Sequence, residues 1–401
     1  MHTPTDPEYR SDTKRLKVIV AGGGSGGHLF PGLAVAEEIK RRYPGSEILF
    51  VTGRKRIESD ILTSSGFRQT SICVEGIKGR GWKTGIMVAA RLPYSLAQSI
   101  SVIRKLSPHL ILGVGGYSAG PVCLAARMMG ITTIIHEQNS FPGLTNRLLC
   151  RFADRIFISF EESRGHFPRG SIVLTGNPIR KEFLEKINSR EKDDGKFTIL
   201  VTGGSQGAIA INRAFVAALE ILRQEGKAPQ IIHHTGEADF DRVVRQYREK
   251  GLQGEIKPFI RDMPAAYRRA DIFVGRAGAG TIFELAGLGK PSILIPYPHA
   301  ANNHQEINAR VLANAGGAEM MRQDDLTPEG LAEILTKYME NRATIQKMGG
   351  QAQKKGRPYA AKEIVDQLVA MIDKGKAGRR ERMPNGAITI NGYQTDHEKL
   401  R

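Results

Sequence analysis

Short runs of aliphatic and β-branched residues recur along the chain, separated by longer segments in which apolar residues fall three or four apart. The runs at 16–20, 47–52, 71–74, 110–113, 132–135 and 155–158 form one series, and those at 197–202, 230–233, 255–260, 271–274 and 292–295 form a second. Short apolar, β-branched runs of this length predict strands, and the intervening segments predict helices. In the first of these, Leu33, Ala36 and Ile39 or Lys40 share one side, and the helix should end near the stretch Arg41-Arg42-Tyr43-Pro44. Strand and helix in strict alternation predict an α/β fold with parallel, doubly wound sheets. The polar stretch 189–195 separates the two series, so the pattern predicts two similar lobes rather than one large sheet.

The strand at 16–20 runs into Gly22-Gly23-Gly24-Ser25-Gly26-Gly27-His28, and Pro31 suits the first turn of the helix that follows. A glycine turn between strand and helix brings bare backbone N–H groups to the positive end of a helix, which is a site for a phosphate or diphosphate. Gly22, Gly24 and Gly27 satisfy the dinucleotide-binding spacing, but no Lys-Ser/Thr pair follows to make a nucleoside-triphosphate loop. The second strand ends in Gly53-Arg54-Lys55-Arg56 with no acid for a ribose diol, although that basic cluster leaves an NADP-binding alternative open. A turn that binds nothing is the plainer alternative.

Ligands of such sheets sit beyond the carboxyl ends of the strands. Three polar or glycine-rich stretches fall there: 113–118 with Gly115-Gly116-Tyr117, His136-Glu137-Gln138-Asn139, and Gly176-Asn177-Pro178-Ile179-Arg180. Each has an ordinary explanation as a turn or helix entry, but together with the first glycine loop they predict a cleft. The second series repeats the opening of the first, with Gly203-Gly204-Ser205-Gln206-Gly207-Ala208 after its first strand. Further on, the glycine-rich entry 275–284 places Glu284 on the first turns of a helix, where it complements the dipole or accepts the hydroxyls of a ribose. The stretch 296–306 is rich in amides and imidazoles suited to sugar hydroxyls, though Asn302 or Asn303 would serve equally as a helix cap. Asp239-Phe240-Asp241 reads as N-terminal helix charge rather than a metal site, and no metal is expected.

Residues 76–106 stand apart, with Lys78, Arg80, Lys83 and Arg91 interleaved with Ile77, Trp82, Ile86, Met87, Val88, Leu92 and Leu96. An apolar face rimmed by cations suits an anionic membrane surface, and the same periodicity suits a core-facing helix. The chain's formal net charge is +17, and the ends supply little of it: 1–15 balance three basic against three acidic residues, and 374–401 carry seven against three. The excess on the body points to an anionic partner. No run of 18 apolar residues and no secretory signal is present, so a cytoplasmic protein is expected, with Cys73, Cys123 and Cys150 as buried thiols.

In combination and in order, the motifs at 23–28, 115–117, 136–139, 176–178, 203–208 and 298–305 resemble the MurG family. These are the bacterial undecaprenyldiphospho-muramoylpentapeptide β-N-acetylglucosaminyltransferases of glycosyltransferase family 28, and the likeness runs from about Leu16 to Ile372. It implies a GT-B architecture of two Rossmann-like domains facing an interdomain cleft. The domains would be 16–178 and 179–358, with a helix at 359–372 packing back on the first; outside the likeness, 1–15 and the basic tail 375–401, which lacks apolar periodicity, are expected to be disordered. The implied reaction moves GlcNAc from UDP-GlcNAc to the C4 hydroxyl of the MurNAc-pentapeptide of lipid I, giving lipid II, with inversion and without a cofactor or obligatory metal. The implied partners are the donor, the undecaprenyl-diphosphate acceptor and an anionic membrane surface at the cytoplasmic face of the inner membrane, with no nucleic acid.

The resemblance assigns the donor to Ser25, Gly26, Gly27, Asn139, Arg180, Ser205, Ile260, Ala279, Gly280, Thr281, Ile282, Phe283, Glu284 and Gln305. Ser25 stands where many members carry Thr. The acceptor diphosphate falls to Gly24, Ser25, Gly26, Gly27 and His28, and the membrane patch to Trp82, Ile86, Leu92, Lys78, Arg80 and Lys83. An inverting transfer needs a base; His28 is the choice, because imidazole titrates near neutrality, and Glu137 the reserve. Helix capping or cationic binding of the diphosphate is the competing role for His28. A UDP-GlcNAc 2-epimerase, an NADP oxidoreductase and a sugar-nucleotide sensor are the rival functions.

Overall fold

The computed structural model describes residues 14–23, 26–54, 56–74, 81–167, 171–184 and 195–381, without the side chains of 56–57, 81–90 and 375–381. Gly24, Ser25, Lys78 and Arg80, and the side chains of Trp82, Lys83 and Ile86, therefore lie outside the described residues.

Two parallel sheets organise the chain. The first contains β1 (Lys17–Ala21), β2 (Glu47–Thr52), β3 (Arg68–Ser71), β4 (Leu110–Gly113), β5 (Thr132–Glu137), β6 (Arg155–Ile158) and β7 (Ile172–Leu174), in the order β3-β2-β1-β4-β5-β6-β7. The second contains β8 (Thr198–Thr202), β9 (Gln230–His234), β10 (Glu255–Lys257), β11 (Ile272–Gly275), β12 (Ser292–Leu294) and β13 (Glu319–Met320), in the order β10-β9-β8-β11-β12-β13. β1 and β8 occupy equivalent places. Val18 pairs with Ile48 on one side and Leu110 on the other, and Leu200 pairs with Ile232 and Phe273. Each is the strand at which the order reverses, and each is followed by one of the glycine turns, which is where open α/β sheets bind ligands.

Strands with neighbours on both sides and helices on both faces must be apolar throughout, and Val18, Ile19, Val20, Leu110, Ile111 and Leu112 are all buried. The helix Ala360–Glu381 returns from the end of the chain to this first core, inserting Ile364, Val365, Leu368 and Ile372 beside Leu33, Ile39 and Phe50. Burying each such side chain contributes about 1.5–3 kcal/mol. The half-exposed ion pairs Arg42–Asp366 and Lys14–Asp373, both 2.6 Å, contribute about 0–1 kcal/mol each, so apolar packing holds the helix down. Across the lobes, Phe160 meets Phe283 edge-on at 5.0 Å, and Ser140 donates its backbone N–H to Asn308 Oδ1 at 3.1 Å.

Several expectations need correction. The helix Gly26–Arg42 begins inside the glycine turn, five residues before Pro31, which therefore lies within it. Proline has no N–H, so the carbonyl of Gly27 one turn earlier has no helical donor. β3 spans Arg68–Ser71 rather than 71–74: it is an edge strand whose residues are exposed or half-buried, with Gln69 donating to Ser59 and Thr63 of the preceding helix, so it carries no apolar pattern, and the apolar residues lie just after it. β10 stops at Lys257 because Pro258 cannot donate to the ladder. β7 and β13, of three and two residues, were not expected. The last helix extends to Glu381, into the stretch read as tail. The three cysteines are free thiols, Cys123 and Cys150 buried and Cys73 partly so.

Candidate active site

In the first lobe the carboxyl ends of β1, β4 and β5 bring three of the sequence motifs together. Gly115 and Gly116 after β4 have φ of +88° and +78°, a region that L side chains rarely adopt. Backbone and ring explain the need for glycine: a Cβ on Gly116 would lie 2.0 Å from the Gly23 carbonyl oxygen, and one on Gly115 would lie 2.9 Å from His28 Nδ1. The imidazole of His28, on the first turn of the Gly26–Arg42 helix, thus rests against bare backbone. Its Nδ1 lies 2.8 Å from Gln138 Oε1.

His136 and Glu137, at the end of β5, are both buried. His136 Nε2 lies 3.2 Å from the Gly176 carbonyl oxygen, and burial pushes the imidazole down to about 4, so it is neutral at physiological pH. Glu137 is fully engaged. One carboxylate oxygen accepts the Asn139 backbone N–H at 3.0 Å and the other accepts Gly143 N–H at 3.1 Å and Asn146 Nδ2 at 2.8 Å. A carboxylate spent on organising its own loop is poorly placed to take a proton from a substrate, which favours His28 over Glu137 as base. Asn139 sits beside it, its amide 3.4 Å from the same carboxylate.

In the second lobe the turn after β8 closes on itself, with Gly207 N–H donating to the Gly204 carbonyl at 2.8 Å and Gly204 N–H donating to Thr202 Oγ1 at 3.1 Å. Ser205 and Gln206 are left exposed at its tip. The turn interlocks with the one after β9. A Cβ on Gly207 (φ +74°) would lie 1.9 Å from the Thr235 carbonyl oxygen, and one on Gly236 (φ +80°) 2.2 Å from that of Gln206. No side chain caps the helix Ile209–Gln224 that follows, so its first N–H groups remain for an anion.

The helix Ala279–Leu288, entered through Gly278, is likewise uncapped by a side chain. Ala279, Ile282 and Phe283 are buried, Phe283 against Phe160 where the lobes meet, so they offer a ligand backbone rather than side chain; Gly280, Thr281 and Glu284 are the more accessible members. Ile260 is buried as well, leaving its backbone for recognition. Burial raises the Glu284 carboxyl to about 7, against the opposing pull of Arg180 and of the Tyr267 hydroxyl, which donates to its Oε2 at 3.3 Å. Arg180, in the crossover between the sheets, lies over the rings of Phe30 in the first lobe, at 4.9 Å, and Phe183, at 5.0 Å. Burial, then the Glu182 charge, lifts Glu37 to about 7 near the same guanidinium.

The loop after β12 is held first by Arg276, whose part the sequence pattern did not show. Arg276 donates to the carbonyls of Ile295 and Pro296 at 3.1 and 3.0 Å and packs on the Tyr297 ring at 5.3 Å. Gln305 accepts the Tyr297 backbone N–H at 3.0 Å, which spends its oxygen and leaves its amide N–H groups. Asn302 and Asn303 both have left-handed φ, of 52° and 53°, and Asn303 heads the next helix without capping it, its amide donating to Glu306 at 2.7 Å instead. Asn308 joins the lobes by accepting from Ser140 while donating to the Ala277 carbonyl at 3.2 Å. Asp239 accepts from Asn212 at 2.7 Å and from Arg242, and among the described residues no group of three His, Cys, Asp or Glu is arranged to hold a metal ion. Leu92 is exposed, as are Leu144, Leu148 and Phe152 on and after the helix Leu144–Leu149. No helix among the described residues is long and apolar enough to cross a membrane.

Two parallel-sheet lobes, each with a glycine turn at its switch-point strand and joined by an arginine-bearing crossover, define a GT-B-type glycosyltransferase fold. The glycosyltransferase family 28 N-terminal domain matches residues 18–158 and the family 28 C-terminal domain matches residues 198–364. The chain belongs to glycosyltransferase family 28. It is 46% identical over 357 residues to a protein of Syntrophus aciditrophicus, covering 89% of this chain and 99% of the relative, and 44% identical over 362 residues to one of Geobacter sulfurreducens, covering 90% and 100%. Both are named UDP-N-acetylglucosamine–N-acetylmuramyl-(pentapeptide) pyrophosphoryl-undecaprenol N-acetylglucosamine transferase. The crystal structure of Acinetobacter baumannii MurG superposes with a TM-score of 0.70 at 31% identity, covering 88% of this chain and 99% of that one. A UDP-GlcNAc 2-epimerase from Neisseria meningitidis, at 16% identity and a TM-score of 0.62 over 89% and 99% of the two chains, shares the fold alone.

Proposed function

We propose that this protein transfers GlcNAc from UDP-GlcNAc to the C4 hydroxyl of the MurNAc-pentapeptide on undecaprenyl-diphosphate, making lipid II for peptidoglycan. The observation that carries this is the extent of the likeness to the named transferases, 46% identity across nearly the whole of both chains, joined to a histidine seated in the first-lobe glycine turn. The NADP alternative draws no such support, since the matching family models and the named relatives are those of glycosyltransferases.

In the proposed reaction the second-lobe turn at 203–207, with Arg180, neutralises the UDP diphosphate; Glu284 accepts the ribose hydroxyls, the Ile260 backbone reads uracil, and Gln305 and Asn139 meet the sugar. The first-lobe turn holds the acceptor's diphosphate. His28 takes the proton of the C4 hydroxyl as its oxygen bonds to C1 of GlcNAc, the C1–O bond to the β-phosphate breaks, and UDP leaves from the opposite face. Configuration at C1 therefore inverts, and the electron pair of the broken bond stays with UDP. The exposed aliphatic residues of the first lobe, with the Trp82 stretch, would rest on an anionic membrane at the cytoplasmic face of the inner membrane.

Incubating the purified protein with radiolabelled UDP-GlcNAc and a short-chain lipid I analogue tests this. A β-1,4-linked disaccharide product that requires the acceptor is expected. Conversion of UDP-GlcNAc without acceptor would instead support an epimerase, and binding without turnover a sensor; either would overturn the proposal.

A further inference from the structure

The proposed base needs its proton on the correct nitrogen. A neutral imidazole carries one N–H, and only the nitrogen without it can take a proton from a hydroxyl. The described residues of the glycine turn do not settle which nitrogen of His28 that is. The partner that does is a side chain 110 residues away, Gln138, which is buried.

The orientation of the Gln138 amide follows from groups that can only accept. Its nitrogen lies 3.0 Å from the Val114 carbonyl oxygen and 3.1 Å from the His136 carbonyl oxygen. Turned over, the amide would aim its oxygen at both carbonyls and strand three acceptors together in a buried site. The same nitrogen lies 3.0 Å from His136 Nδ1. That contact is consistent in turn: the Gly176 carbonyl, 3.2 Å from His136 Nε2, can only accept, so the proton of His136 sits on Nε2 and its Nδ1 presents a lone pair to Gln138. Burial keeps His136 neutral well below physiological pH, so this arrangement persists across the working range. With its N–H groups committed, Gln138 has only its oxygen to offer His28, and an oxygen 2.8 Å from Nδ1 requires Nδ1 to donate.

We propose that Gln138 is the positioning residue of the transfer reaction: its carboxamide oxygen holds the Nδ1–H tautomer of His28, so that Nε2 faces the acceptor hydroxyl with a free lone pair. This rests on the transferase function proposed above. The ring is further held by Gly115, which leaves no room for a side chain between itself and the imidazole. The chain of bonds from His28 through Gln138 and His136 ends at Gly176, in the crossover, where a Cβ would meet Arg357 at 2.4 Å and Phe283 at 3.3 Å. The base is therefore tied to the point at which the second lobe presses on the first.

Two measurements test it, and only one depends on turnover. Long-range ¹H–¹⁵N NMR of the ¹⁵N-histidine-labelled protein at pH 8, with the His28 signals assigned by their loss in His28→Asn, should find Nδ1 protonated and Nε2 bare. An Nε2–H tautomer would overturn the proposal even if the protein is a transferase, and an Nδ1–H tautomer would stand even if it is not. Gln138→Met keeps the volume and removes the acceptor. With UDP-GlcNAc affinity unchanged, which also reports that the lobes are folded, kcat should fall at least ~10-fold, part of the ~100- to 10,000-fold that a positioned base supplies. The acid limb of the kcat/KM–pH profile should move in the same variant. Full kcat together with an unmoved pH profile would refute the role.

Discussion

Raising the pH from about 6 to about 8 should tighten UDP-GlcNAc binding about tenfold, and Glu284→Gln should remove that dependence. The magnitude comes from the carboxyl's surroundings, which lift it from 4.5 to about 7 in the free protein. A ribose diol donates two O–H groups, and an ionised carboxylate accepts both, whereas a protonated one has a hydrogen in the way. In the ribose-binding role proposed for Glu284, binding therefore selects the ionised form. With a carboxyl at about 7, roughly one-tenth of the protein carries it at pH 6 and roughly nine-tenths at pH 8, and affinity follows that fraction until it levels off.

For the ligand-free fold the sign is opposite. A carboxyl raised on folding adds stability that is complete below its unfolded value of 4.5 and is withdrawn as the pH climbs through about 7. Glu284→Gln should accordingly raise Tm at pH 8 and leave it unchanged at pH 4. Isothermal calorimetry with UDP-GlcNAc, whose diphosphate has no ionisation in this range, reads the first effect without interference from the ligand. Affinity that is flat between pH 6 and 8 in the wild-type protein, or a slope that survives in Glu284→Gln, would refute the reasoning.

Three further outcomes follow from the same geometry. His28→Ala should lower kcat by at least ~100-fold while UDP-GlcNAc affinity holds, and near-normal kcat would remove it as the base. Gly207→Ala places a Cβ 1.9 Å from the Thr235 carbonyl oxygen at a φ of +74°, so the two turns must part; a loss of at least about 2 kcal/mol is expected, seen as a Tm lower by about 4–8 °C, together with weaker donor binding. An unchanged melting curve would contradict the interlocked turns. Trp82→Ser with Ile86→Ser should reduce sedimentation with anionic vesicles and spare activity on a short-chain acceptor; equal sedimentation would place the membrane contact elsewhere.

The buried strands were legible because a central parallel strand must be apolar on both faces, and 47–52, 110–113 and 155–158 coincide with β2, β4 and β6. Edges were not. Arg68-Gln69-Thr70-Ser71 carries no apolar signal, and β13 has two residues, because a strand with one neighbour and little cover is selected by its partner's backbone rather than by its own side chains. The glycine turns were legible as turns, but why Gly115 and Gly207 must be glycine lies in groups far along the chain, His28 and Thr235. The same distance hid Gln138. Its motif was visible, yet its role depends on a contact with a residue 110 positions earlier. Glu137 drew attention as a carboxylate near a cleft, and only its hydrogen bonds reveal that it is consumed in holding the loop.

A crystal structure with UDP and a soluble lipid I analogue bound together bears most directly on whether two glycine turns serve two different diphosphates. The UDP diphosphate should lie at the 203–207 turn, the acceptor diphosphate at the turn that ends in His28, and the C4 hydroxyl within hydrogen-bond reach of His28 Nε2. An acceptor diphosphate bound away from that turn, or a C4 hydroxyl facing Glu137 with His28 turned aside, would contradict it.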